Sequence, residues 1–264
     1  VQHDVAMINP ATLTGKAALV TGGSRNIGRL TATELAKRGA DVVITYRERE
    51  DAAAECVADL EALGVRAAAL KADLTGTAQI DGLVADFRKV LADWGRSDFD
   101  ILVNNAGILR IATFDQVTED DLDHNFETNF KSVFMLTQAL AEHIADGGRI
   151  INLGSATARI ASAPLVSYGP IKAAVQSLTL YLARHFGPRG ITVNAVAPGG
   201  LDDDFNNALF NELMPQSRDR IRSNTALGRI GVPSDVSEVI AFLASDAASF
   251  ISGAVIPIDG GYHL

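Results

Sequence analysis

A chain of 264 residues, 47% hydrophobic and 21% charged, can bury one sizeable core and suits one large α/β domain better than two small ones. Its net charge of −9 and pI near 5.0 argue against a nucleic-acid or anionic-membrane surface. Cys56 is the only cysteine, which excludes an intrachain disulfide or thiolate cluster and fits a reducing, cytoplasmic compartment.

No apolar run reaches the ~20 residues of a membrane span, and neither a secretory leader nor a metal site is expected. The sequence opens without a methionine, and residues 1–12 read as a tail on which no argument rests. The domain proper is expected over 13–264.

Ala17-Ala18-Leu19-Val20 reads as a short buried strand entering the turn Thr21-Gly22-Gly23-Ser24-Arg25-Asn26-Ile27-Gly28. A helix follows with apolar or small residues at Ile27, Leu30, Ala32, Leu35 and Ala36, and Gly39 stops it. Strand, glycine turn and helix in that order gather backbone N–H groups and a helix N-terminus around an anion. Glycines let the main chain approach a pyrophosphate because no Cβ intervenes.

The second strand, Asp41-Val42-Val43-Ile44-Thr45-Tyr46, runs straight into Arg47. In a dinucleotide fold this strand end lies beside the adenosine ribose, where a carboxylate selects the 2′-hydroxyl of NAD and an arginine accommodates the 2′-phosphate of NADP. No carboxylate appears before Glu48, and Arg25 in the glycine turn supplies a second cation. NADP(H) is therefore expected, with NAD(H) the weaker alternative.

Further along, a helix is predicted over 50–63, then a strand over 65–70 leading to Asp73-Leu74, and a helix over 77–94. The strand over 99–103 ends in Asn104-Asn105-Ala106-Gly107, and a long helix over 119–144 carries Asn129. A helix over 164–185 leads to a strand over 191–196 and then Pro198-Gly199-Gly200-Leu201. A polar, loop-rich insertion occupies 200–224. The last helix is expected to start at the cap Ser234, with Glu238 in its second turn, and to run to about 244. A strand over 254–258 ends in Asp259-Gly260-Gly261. Seven short strands alternating with helices predict an α/β, Rossmann-type, doubly wound parallel sheet with helices on both faces, in a single domain.

The chemistry is expected between Arg149 and Lys172. Ser155 closes the apolar run Ile150-Ile151-Asn152-Leu153, which suits the carboxyl end of a parallel strand, where open α/β sheets place their ligands. Tyr168 and Lys172 are four apart and share one helix face. A phenol with a pKa of ~10 exchanges protons poorly at neutral pH, and an ammonium one turn away favours the phenolate. With a serine hydroxyl to hold a substrate oxygen, the three residues form an acid–base device.

These motifs resemble the short-chain dehydrogenase/reductase family, and the resemblance covers nearly everything from Leu13 to Tyr262. They are Thr21-Gly22-x-x-x-Asn26-x-Gly28, Asp73-Leu74, Asn104-Asn105-Ala106-Gly107, Asn129, Ser155, Tyr168-x-x-x-Lys172 and Pro198-Gly199. Their order and spacing match throughout, including the twelve residues between Ser155 and Tyr168. The resemblance implies a carbonyl–alcohol oxidoreductase in which Tyr168 is the general acid/base and Ser155 orients the substrate carbonyl. Lys172 would lower the tyrosine pKa and bind the nicotinamide ribose, while Asn129, on a locally bent main chain, would hold a relay water. Asp73 would meet the adenine, and Asn105, Ala106 and Gly107 would line the middle of the cofactor. Relatives usually form dimers of dimers through the long central helices and the tail over 252–264, which implies a homotetramer.

Three positions depart from the family pattern. Asn26 replaces a glycine or alanine, but asparagine tolerates positive φ better than other residues with a Cβ. Pro170 lies inside the Tyr–Lys turn, where its missing N–H costs little near a helix start. Asp203 stands where the family often has a threonine that holds the nicotinamide carboxamide. Two other readings stay open: a 3-oxoacyl-thioester reductase, whose acidic carrier partner docks less readily on a chain of charge −9, and a non-catalytic NADP-binding sensor or scaffold.

Overall fold

The apolar runs become seven strands of one sheet, in the order β3-β2-β1-β4-β5-β6-β7. A computed structural model describes the protein over residues 12–203 and 216–262. The strands are β1 (Ala17–Val20), β2 (Asp41–Tyr46), β3 (Ala67–Lys71), β4 (Phe99–Asn104), β5 (Ile144–Leu153), β6 (Thr192–Pro198) and β7 (Val255–Ile258). The helices are α1 (Asn26–Lys37), α2 (Glu50–Ala62), α3 (Ile80–Asp93), α4 (Glu119–Phe126), α5 (Ser132–Leu140), α6 (Gly169–Phe186), α7 (Ser217–Asn224) and α8 (Pro233–Ala244).

Every strand pairing is parallel, so each strand needs a crossover and both faces are covered. Alternation along β1 shows the consequence: Ala18 and Val20 enter one core, Ala17 and Leu19 the other. The first core packs Leu35 of α1, Leu60 of α2 and Ile240 of α8 against the sheet. The second packs Phe87 of α3, Leu136 of α5 and Phe186 of α6, with the Phe87 and Phe99 rings edge to face at 4.9 Å. Winding reverses between β1 and β4, so the loops after these two strands part at the carboxyl edge and open a crevice there.

Several boundaries differ from expectation, each for a local reason. The helix expected over 119–144 starts on a Thr118–Asp121 capping box but is broken by a π turn at Glu127–Lys131 and ends at Leu140. Ile144 is thereby released to pair with Phe99, and β5 starts six residues before Ile150 with a register shift opposite Phe99 and Ile101. α6 begins at Gly169 rather than at 164, because the Pro164 carbonyl accepts from the Ala112 N–H at 3.1 Å, and Ala112 bridges Leu165. Pro170 sits in the first turn of α6 without breaking it.

α8 begins at Pro233, not on a Ser234 cap. The Asp235 carboxylate accepts the Val232 N–H at 2.8 Å and so closes the helix start. The insertion over 200–224 contains a regular element, α7. Its residues 204–215, and the tail expected over 1–12 apart from Thr12, lie outside the described residues.

Candidate active site

The glycine turn is shaped by close backbone approaches. Gly22 has φ +64°, and Asn26, at φ +49°, is the only non-glycine residue with positive φ among those described. The turn thus needs a left-handed residue where the family pattern has glycine or alanine, and asparagine supplies it. Gly22 N–H donates to Thr45 Oγ1 at 3.0 Å. The Asn105 amide donates across the crevice to the Thr21 and Gly22 carbonyls at 2.8 and 3.1 Å. A Cβ at Gly28 would overlap the Gly22 carbonyl and lie 2.6 Å from Asn105 Nδ2, so only glycine fits there. α1 starts without a side-chain cap or a carboxylate in its first turn, which leaves its positive end to an anion.

The cations beyond the second strand are not equivalent. Arg47, expected as a free partner for a 2′-phosphate, is paired with Glu48 at 2.8 Å on the exposed surface. Arg49 forks onto Asp51 with two contacts of 2.9 Å. Arg25 lines the same cleft and forms no ion pair among the described residues. An exposed pair such as Arg47–Glu48 contributes ~0–1 kcal/mol and opens readily, so Arg47 is a conditional partner and Arg25 the ready one. Asp73 is anchored by its own loop: its N–H donates to Gln79 Oε1 and its carboxylate accepts the Thr75 N–H. Leu74 is buried beside it.

A chain of buried amides and hydroxyls runs beneath the other end of the cleft. Asn104 donates to Thr137 Oγ1 at 3.0 Å and to Asn152 Oδ1 at 2.9 Å; Asn152 passes the chain to Thr179 Oγ1 at 3.0 Å. These bonds tie the ends of β4 and β5 to α5 and α6. Just beyond β5, Ser155 Oγ accepts from the Thr157 N–H at 3.2 Å and from the Thr157 hydroxyl at 2.8 Å. With its lone pairs so engaged, the Ser155 proton is left to donate toward the Tyr168 hydroxyl, whose pKa it draws down. Gln176 donates to the Ser155 carbonyl at 2.8 Å.

Tyr168 is the N-cap of α6, and Lys172 N–H returns to its carbonyl at 3.0 Å. Lys172 Nζ donates to the Leu153 carbonyl at 2.8 Å and lies 5.7 Å from the centroid of the Tyr168 ring. Burial pushes the Tyr168 pKa well above the ordinary phenol value, and the opposing pull comes from the Ser155 hydrogen bond. Lys172, expected to favour the phenolate, has its ammonium engaged by the Leu153 carbonyl in this arrangement. Burial also pushes the Lys172 pKa down to about 8. At neutral pH the phenol is a held proton and the lysine remains largely charged.

Every sequence-predicted site residue except Asn129 lines one cleft of about 970 Å³, from Arg25, Tyr46 and Arg47 at one end to Ser155, Tyr168 and Lys172 at the other. Ser24, Ile27, Ala106, Gly107, Pro198 and Gly199 lie on the wall between. Asn129 is fully buried one layer back, with its amide donating to the Ile108 carbonyl at 3.0 Å and its Oδ1 only 2.7 Å from where a Gly107 Cβ would be. Leu201 reaches the cleft but is chiefly core, bridged to Gly231. Asp203 also lines the cleft and is nearly buried.

Sequence reasoning missed Thr157, Gln176 and the Leu153 carbonyl. Only the Ser-x-Thr spacing at 155–157, typical of a hydroxyl turn, could have flagged the first. Among the described residues no cluster of potential metal ligands occurs. Cys56 is buried, with its thiol donating to the Gly23 carbonyl at 3.6 Å and burial pushing its pKa up to about 11.

A reversing parallel sheet, a glycine cradle at a helix start and a Ser–Tyr–Lys set at the carboxyl edge define a dinucleotide-dependent oxidoreductase. The comparisons agree. The family model described as enoyl-(acyl carrier protein) reductase, one of the short-chain dehydrogenase/reductases, matches residues 22–263. Hydroxynaphthalene reductase-like protein Arp2 of Metarhizium brunneum is 38% identical over 262 residues, covering 96% of each chain. The promiscuous reductase LugOII, which catalyses keto-reduction at C1 during lugdunomycin biosynthesis, is 40% identical with a TM-score of 0.90, over 96% of this chain and 100% of that one. The angucycline C-6 ketoreductase LanV with bound NADP is also 40% identical, with a TM-score of 0.91 over 96% and 97%. The chain belongs to the short-chain dehydrogenase/reductase family.

The buried lysine makes a stability prediction. Its folded pKa of about 8 lies below the ordinary 10.5, so the unfolded chain binds more protons between these values and stability rises with pH there. Lys172→Met removes a charge that is costly to bury at pH 7 and loses one hydrogen bond. The variant is expected to be inactive yet more stable at pH 7, by roughly 1–3 kcal/mol, with the gain shrinking toward pH 10. Urea unfolding at the two pH values measures this, and a variant less stable than wild type at pH 7 contradicts it.

Proposed function

We propose that the protein is an NADP(H)-preferring reductase of ketones on a multi-ring or aromatic framework, with Tyr168 as its general acid/base. The observation that carries this reading is Tyr168: a half-buried phenol on the wall of the cleft, whose pKa desolvation raises and Ser155 draws back, one turn from Lys172. A phenol held protonated is suited to donate when a carbonyl oxygen gains charge. Among the proteins to which the chain is similar are a hydroxynaphthalene reductase-like protein and an angucycline C-6 ketoreductase. A substrate end lined by Leu109, Ile160, Leu165, Ile221 and Tyr262 offers apolar surface for such rings.

The chain fits a dinucleotide on its own geometry: Gly28 admits no Cβ, Gly22 takes φ +64°, and α1 presents an uncapped start. Arg25 and Arg47 would hold the 2′-phosphate, Asp73 the adenine, Asn105 to Gly107 the middle, and Lys172 the nicotinamide ribose. When bound, the nicotinamide supplies the hydride. Ser155, oriented by Thr157, donates a hydrogen bond to the substrate oxygen and fixes the carbonyl against Tyr168. The Tyr168 hydroxyl gives its proton to that oxygen as charge develops, and Lys172 stabilises the phenolate left behind. Asn129, behind the cleft, would hold a relay water through which the proton is replaced. Oxidation of an alcohol runs the same path in reverse.

No helix among the described residues is long and apolar enough to cross a membrane. The single cysteine suits a reducing compartment, and the cytoplasm is the location proposed. The rings of Phe126, Phe130 and Phe134 form a row along the π turn, with centroids 5.5 and 6.5 Å apart. Phe126, Phe134, Leu180 and Tyr181 are all exposed. This apolar strip, and the tail over 252–264, support a homotetramer with two-fold contacts.

Tyr168→Phe should keep NADPH binding and lose several orders of magnitude in kcat/KM, read from reduced-cofactor absorbance with a panel of polycyclic ketones and one 3-oxoacyl thioester. More than about a tenth of wild-type activity, a loss under ~1.4 kcal/mol, would rule out the role of Tyr168. Turnover of the thioester alone would move the protein to the oxoacyl reading. Arg25→Ala should weaken NADPH ~10–100-fold and leave NADH unchanged, whereas Arg47→Ala, whose side chain is shared with Glu48, should cost less. Equal loss of both cofactors would place Arg25 outside the phosphate site. Light scattering at micromolar concentration should give four times the chain mass of 27.9 kDa, and a stable monomer would refute the assembly.

A further inference from the structure

Asn125 is fully buried in the last turn of α4, four residues before Asn129, and it does not line the cleft. Its amide nitrogen donates to Ser167 Oγ at 3.0 Å, and Ser167 is itself buried and immediately precedes Tyr168. The same nitrogen approaches the Arg110 carbonyl at 3.5 Å, while its Oδ1 accepts from the Arg110 N–H at 3.4 Å. Across the π turn, Asn129 Nδ2 donates to the Asn125 main-chain carbonyl at 3.1 Å and reaches Asn125 Oδ1 at 3.5 Å. One side chain thus meets the loop that continues from Gly107, the asparagine behind the cleft and the residue leading into the acid/base tyrosine.

We infer that Asn125 is a positioning residue for the reaction, setting Tyr168 against Ser155 and Lys172 through the Ser167 hydroxyl. The geometry makes the link specific. Tyr168 has non-helical neighbours upstream, since Pro164 and Leu165 are held by Ala112, and no side chain caps α6. The segment between Leu165 and Tyr168 is a turn fixed by the Tyr168 and Gly169 N–H groups, both donating to the Leu165 carbonyl. Among the described residues, the side-chain hydrogen bond made to that turn is the one from Asn125 to Ser167. A buried amide deprived of its partner carries the full desolvation penalty, so the two side chains hold each other in one arrangement. Reacting groups displaced by ~1 Å lose on the order of 10² in rate, so a tether on the residue next to the phenol acts on kcat.

The inference rests on the role proposed for Tyr168. The test uses Asn125→Leu, which is nearly isosteric and cannot hydrogen-bond, Ser167→Ala, and the double variant, each in the full chain with NADPH and a ketone that wild type turns over. Asn125→Leu should lower kcat 10–100-fold and Ser167→Ala ~3–10-fold, with the NADPH KM within twofold. The double variant should be no slower than Asn125→Leu alone, and the pH profile of kcat should shift in both single variants. Additive losses, a kcat within twofold of wild type, or a lowered Tm with an unmoved pH profile would overturn the inference. If Asn125→Leu does not fold, Ser167→Ala decides by its kcat and pH profile. A dead Tyr168→Phe alongside unaffected Asn125 and Ser167 variants sinks only this inference, whereas an active Tyr168→Phe sinks the acid/base reading beneath it.

Discussion

The site depends on one stitch across the reversal of the sheet. Where β1 and β4 end side by side, the Asn105 amide donates to two successive carbonyls of the glycine turn, at Thr21 and Gly22. That bond holds together two loops whose crossovers leave on opposite faces, and it requires the missing Cβ of Gly28 beneath it. The Thr21 hydroxyl completes it by accepting the N–H groups of Asn105 and Ala106 at 2.9 Å each. The crevice opened by topology is therefore made rigid by polar contacts at its floor, so the phosphate end and the reaction end keep one relative placement.

Burial then sets the chemistry. The Ser155 and Lys172 side chains are buried and each is given a fixed partner, Thr157 for the serine and the Leu153 carbonyl for the ammonium, while the half-buried Tyr168 phenol faces the Ser155 hydroxyl. A polar group in such a place costs free energy unless it is matched, and the matching dictates direction as well as stability. The serine is an acceptor toward Thr157 and hence a donor toward the cleft. The Asn104–Asn152–Thr179 chain performs the same service for the strand ends below.

Features that depend on local spacing were legible in the sequence. Tyr168 and Lys172 share a face because helical geometry makes it so, and the strand ends at Gly22, Asn105, Ser155 and Gly199 fall on one edge because parallel strands must. The π turn was legible only through family likeness, as a bend at Asn129, and its breaking of the helix expected over 119–144 was not. Contacts between distant segments were hidden: Asn125 with Ser167, Pro164 with Ala112, and Thr157 turning back on Ser155. The Arg47–Glu48 pair was hidden differently: a charge argument along the sequence counts Arg47 alone, and the structure pairs it with its neighbour. Asn26 is a case where a departure from pattern was read correctly, because the backbone demand at φ +49° is one asparagine can meet.

Cys56 carries a consequence of another kind. Its sulfur is sealed beneath the glycine turn and its pKa stands near 11, so at neutral pH almost none of it is thiolate. Thiolate is the form that peroxides oxidise and alkylating reagents trap. An enzyme with no other cysteine is thereby indifferent to the thiol redox balance around it while it draws on the reduced nucleotide pool. The same seal leaves the surface free of native thiols, so a cysteine introduced there would be the single reactive handle for a fluorophore or spin label.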